Sequence, residues 1–81
     1  MTKSFKIGEY AVGGIIRVQK DKDVITIQAL DWVTKQPVME DRFHTERYGY
    51  LNQIDHFLFN LTTSYYTDKI MTYIKSIVPK N

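Results

Sequence analysis

The chain predicts an α+β fold, a three- or four-stranded antiparallel β-meander followed by two C-terminal α-helices packed on the sheet. Three observations predict it. The first half of the 81 residues is rich in β-branched residues, the second half repeats its apolar residues at helical spacing, and their order places the sheet before the helices. With no internal repeat, low-complexity tract or linker, residues 1–81 read as one domain, the sheet over about 5–43 and the helices over about 46–61 and 67–78. A chain this short buries only roughly 60–65% of the surface its unfolded state exposes, so its core must be small.

The first strands depend on how Gly13-Gly14 is read. A phosphate cradle needs backbone amides at a helix N-terminus, but Ile15-Ile16-Arg17-Val18 follows, which is a strand signal. Two readings remain. A two-residue hairpin turn, in which both glycines take positive φ, would join residues 6–12 to 15–20 and give four strands. One long strand with a bulge is the alternative. The hairpin is the preferred reading. Lys20-Asp21-Lys22-Asp23 is the next loop, residues 24–32 form a well-covered strand ending near Asp31-Trp32, and Thr34-Lys35-Gln36-Pro37 turns the chain into a shorter strand over 38–43.

The period changes at Phe43-His44-Thr45-Glu46. Thr45 is placed to cap a helix and Glu46 to face the positive end of its dipole. Tyr50, Ile54, Phe57, Leu58 and Leu61 form a stripe wide enough to cover a small sheet. Thr62-Thr63-Ser64 breaks the pattern. Thr67-Asp68 then offers a second cap, and Ile70, Tyr73, Ile74 and Ile77 form the face of a helix that ends before Pro79 and packs on the remaining face or an edge of the sheet.

Composition narrows the chemistry. The chain has no cysteine, so disulfides, thiolate nucleophiles and cysteine-type zinc sites are excluded. No apolar run approaches the ~20 residues that span a bilayer, and the amino terminus lacks a signal-peptide core, so no membrane association and a cytoplasmic location are expected. The net charge of +2 is uneven, with +3 over residues 1–22, −3 over 23–46 and +2 over the rest. That balance is weak for a protein whose affinity rests on phosphate contacts.

No residue set reads as catalytic. His44 and His56 lie twelve positions apart on different elements without a third ligand at recognised spacing. Glu40 and Asp41 are neighbours on a strand and point to opposite faces. Asp21 and Asp23 sit in a lysine-containing loop and fall short of a calcium site. A non-catalytic chain without metal or cofactor is expected.

The aromatic residues point elsewhere. Six tyrosines, four phenylalanines and one tryptophan exceed what so small a core needs, and Tyr10, Trp32, Tyr48, Tyr65 and Tyr66 fall at element ends or off the apolar stripes. Exposed Tyr and Trp concentrate binding energy at protein interfaces. The first expectation is therefore a small protein-binding module, an inhibitor, adaptor or small subunit, acting through an aromatic patch around Trp32 and the start of the first helix, with another protein as its partner. The alternative is a nucleic-acid-binding domain that lays its sheet against duplex DNA, with Arg17, Lys20, Lys22, Lys35 and Arg42 reaching phosphates or base edges. Asp21, Asp23, Asp31, Glu40 and Asp41 in the same region weigh against it. An uncovered strand edge would also permit self-association.

Overall fold

The computed structural model describes residues 1–79. Strands β1 (Thr2–Lys6), β2 (Gly14–Asp21), β3 (Val24–Asp31) and β4 (Pro37–His44) precede helices α1 (Tyr50–Leu61) and α2 (Ser64–Ile77). The strands pair antiparallel in the order β1-β2-β3-β4, which is the expected meander with four strands.

Register decides which residues share a face, because directly opposed residues of an antiparallel pair point the same way. Phe5, Ile16, Ala29 and Met39 form one cross-strand row, and Lys3, Val18, Ile27 and Asp41 form the next. On this face Ile16, Val18, Ile25, Ile27, Ala29 and Phe43 are buried in one cluster with Ile54, Leu58 and Leu61 of α1 and Ile70, Met71 and Ile74 of α2. The Phe43 and Phe57 rings lie 5.7 Å apart and those of Phe5 and Tyr73 5.8 Å apart. Thus α1 lies toward β4 and α2 toward β1. The second helix shares the face of the first instead of taking the remaining one, because the opposite face of β2 and β3 carries Arg17, Gln19, Thr26 and Gln28, which no helix could bury without stranding polar groups.

Gly13-Gly14 is neither a two-residue turn nor a bend in one strand. Residues 7–13 leave the sheet between β1 and β2, make a single 3-10 turn at Gly8–Tyr10, and return at Gly14. Two contacts explain the detour. Ile7 is buried in the core, and the Val12 N–H donates to the Leu61 carbonyl at 2.8 Å, tying the connection to the end of α1. Both glycines have positive φ, 74° and 104°. A Cβ on Gly13 would stand 2.5 Å from the Leu30 carbonyl oxygen, so only glycine fits there.

The helix starts differ from the sequence expectation. Thr45 does not cap α1, because its N–H donates to the Asp23 carbonyl at 2.8 Å and fastens it to the β2–β3 turn. The helix begins at Tyr50 with Gly49 as N-cap at φ 79°. Its partner α2 begins before Thr67, at Ser64, where the Thr63 hydroxyl accepts from the Tyr66 N–H. Thr67 is instead a buried residue inside the helix.

Candidate functional site

The antiparallel layout gives the molecule two ends. One is the hairpin end, at the Lys22-Asp23 turn between β2 and β3, beside which residues 45–49 lead into α1. The other is the glycine end, where the connection to Gly14, the start of β4 and the α1–α2 junction meet. The five aromatic candidates divide between them.

Tyr10, Tyr65 and Tyr66 come together at the glycine end. Their rings form a chain, Tyr10 to Tyr66 at 6.0 Å and Tyr66 to Tyr65 at 5.0 Å in an edge-on arrangement. The segment holding Tyr10 is locked by an isolated bridge between Ala11 and Thr62 and by the Thr62 hydroxyl, which donates to the Tyr10 carbonyl. Tyr66 is half-buried against the core and anchors the group. Tyr10 is 52% exposed and Tyr65 62% exposed, so the anchored cluster still offers open ring surface. Lys69 Nζ lies 4.9 Å from the Tyr65 ring centroid.

Two further residues enlarge this surface. Phe59 and Val12 are exposed, and with Tyr10, Thr62 and Thr63 they line a shallow trough of about 450 Å³. Sequence reasoning passed over both. Phe59 carried a readable signal, since a phenylalanine off the 50-54-57-58-61 stripe of α1 must turn away from the core.

Trp32 stands at the same end, with its N–H donating to the Gly13 carbonyl at 2.7 Å. It lines a cleft of about 390 Å³ with Gly8, Glu9 and Ala11. Side-chain bonds close the loop that carries it. Asp31 accepts from the Val33 and Thr34 N–H groups at 2.8 and 2.9 Å, and these bonds, that from Thr34 foremost, hold its carboxyl below the usual carboxylate range against the opposing pull of partial desolvation. Lys35 Nζ donates to the Trp32 carbonyl at 2.6 Å and lies 5.1 Å from the indole centroid. Tyr48 is separate from all of these. Fully exposed, it sits in the 45–49 segment at the hairpin end.

The basic candidates are scattered. Arg17 and Arg42 lie on the open face, whereas Lys20 is in register with Ile25 and points to the helix side. Lys22 is in the hairpin turn and Lys35 in the loop at the glycine end. On the open face Arg17 Nε donates to Gln28 Oε1 at 2.9 Å, Gln28 Nε2 donates to Glu40 Oε1 at 2.6 Å, and Arg42 approaches the same carboxylate at 3.9 Å. Glu40 therefore sits between the two arginines and offsets their charge.

Among the described residues no three His, Asp or Glu side chains gather to hold a metal ion, and no helix is long and apolar enough to cross a membrane. Comparison with known proteins finds no family model, no curated protein and no solved structure that matches this chain.

Proposed function

We propose that this chain is a non-catalytic protein-binding module whose partner docks on the glycine end, over Tyr10, Val12, Phe59 and Tyr65, with Tyr66 as their support. One observation carries the reading: three separate segments, the 3-10 turn, the end of α1 and the start of α2, each bring exposed aromatic or aliphatic side chains to one place. Scattered apolar residues on a surface need no explanation, but a contiguous group anchored from beneath is the usual form of a recognition patch. The converging side chains offer area and hydrogen bonds without a nucleophile and its base. Trp32 flanks the patch, and Tyr48 takes no part.

The test uses a photo-crosslinking phenylalanine analogue, installed in separate variants at Tyr65 and at Tyr48, in cells that express the protein. A specific adduct is expected from position 65 and not from 48. With the purified partner, Tyr65→Ala should weaken binding about 30-fold, the effect of losing ~2 kcal/mol at a central aromatic residue, and Tyr48→Ala should change it little. Duplex DNA is the counter-probe. Salt-sensitive binding of DNA that is lost in Arg17→Glu and retained in Tyr65→Ala would overturn the proposal in favour of the sheet face.

A further inference from the structure

We propose that the groove between α1 and β4 binds an extended peptide carrying a basic side chain close to a large apolar one. The groove has a volume of about 460 Å³. Phe43 and Phe57 form its floor, Asp41 its strand wall, and Asn52, His56 and Asn60 its helix wall. It exists because two helices do not cover four strands. Met39 and Asp41 share the face that buries Ala29 and Ile27, yet both are exposed, since α1 reaches β4 only near Phe43.

The helix wall has the spacing of an extended chain. Asn52, His56 and Asn60 fall at i, i+4 and i+8, so they form one row with steps of about 6 Å along the helix axis. An extended peptide repeats every ~6.6–6.8 Å for two residues. Over two steps the mismatch is only about 1–1.5 Å, which flexible side chains absorb. Each carboxamide presents a donor beside an acceptor, the same pair that a peptide unit presents in return. All three residues of the row are exposed to solvent, and Asn60 donates only a 3.2 Å bond to the His56 carbonyl.

Charge identifies the occupant further. Asp41 is the one charged side chain among the groove's described lining residues, and no lysine or arginine lines it. An anionic ligand would find no counter-charge there, whereas a lysine or arginine would find a carboxylate. Direct addition of the peptide as a fifth strand is hindered, because the outward N–H of Arg42 already donates to Asp41 Oδ1 at 2.8 Å. The helix row is the unobstructed set of partners. The inference rests on reading the chain as a protein-binding module but assigns a different surface, one that meets the tyrosine patch only at Asn60.

The probe is a set of acetylated, amidated nine-residue peptides, each with an arginine two positions from a leucine or phenylalanine and degenerate elsewhere. Binding is read from the 15N NMR side-chain NH2 signals of Asn52, Asn60 and Gln53, which also lines the groove. Members of the set should shift these signals, Asn52→Ala and Asn60→Ala should each weaken binding about tenfold, and Asp41→Asn should remove the preference for arginine. Backbone N-methylation of the best peptide, which keeps its side chains, should abolish binding. If no member perturbs the groove at millimolar concentration, or if the N-methylated peptide binds equally well, the proposal is wrong. Tyr65→Ala leaves peptide affinity unchanged, so a failed groove and a failed tyrosine patch give different results.

Discussion

Thr67 is buried completely inside α2, and its hydroxyl finds no hydrogen-bond partner among the described residues. The cost of removing a hydroxyl from water is offset only when it gains a bond in the folded state. Thr67→Val keeps the shape and removes the unpaired group. It should therefore stabilise the protein by about 1 kcal/mol, seen as a higher urea midpoint with an unchanged slope. A lower midpoint would mean that the hydroxyl is satisfied by bound water. From sequence alone Thr67 looked like a helix cap, because Thr followed by Asp has the right chemistry. Thr63, four residues earlier, has equal chemistry and sits where the chain turns. Local preference cannot choose between two good caps; the burial of Ile70 and Ile74 against the sheet makes the choice.

At the scale of elements, β4 shows how an edge is kept from pairing. Met39, Asp41 and Phe43 exchange hydrogen bonds with β3, leaving the N–H groups of Glu40, Arg42 and His44 directed outward. The run Glu40-Asp41-Arg42 guards that edge with charge, and Asp41 blocks the middle donor. Charges on an exposed edge disfavour strand addition by other chains. Asp41→Val frees the Arg42 N–H and removes a charge. Sedimentation velocity should then show concentration-dependent association beyond that of the wild type, and identical sedimentation would mean the edge is guarded by something else. Strands β2 to β4 were legible from their β-branched residues and the turn signals between them, although alternation in β2 is weak; the first strand, expected over 6–12, lies instead at Thr2–Lys6. The 7–13 connection was not legible. Its path is set by the burial of Ile7 and the bond from Val12 to Leu61, contacts between parts of the chain far apart in sequence. Thr45 misled for the same reason, since its amide is taken by Asp23.

Across the whole molecule, the helix layer divides the sheet into a covered part and an uncovered margin, and the two should respond differently to truncation. Leu58 is fully buried, so Leu58→Ala should cost about 2–5 kcal/mol, a large share of the stability of a domain this small. Met39 is 42% exposed on the margin, and Met39→Ala should cost about 0.5 kcal/mol or less. Chemical denaturation of both variants checks the contrast; equal losses would mean that α1 covers β4 after all. The candidate surfaces were only partly legible at this scale. Tyrosines off the helical stripes could be flagged as exposed, but not which of them meet, and Tyr48 had the same signature as Tyr65. The α1–β4 groove had no sequence signature, because it arises from the width of the sheet relative to two helices.

The ends of the meander also differ in what leaves them. β1 starts at the hairpin end, where the Met1 amine donates to the Lys20 carbonyl, and α2 runs back from the α1–α2 junction past Phe5 toward that end. A tether attached at Met1 thus emerges at the end remote from Tyr10, Tyr65 and Tyr66. Immobilised through a tag at Met1, the molecule would present Tyr10, Phe59 and Tyr65 to solution in a uniform orientation.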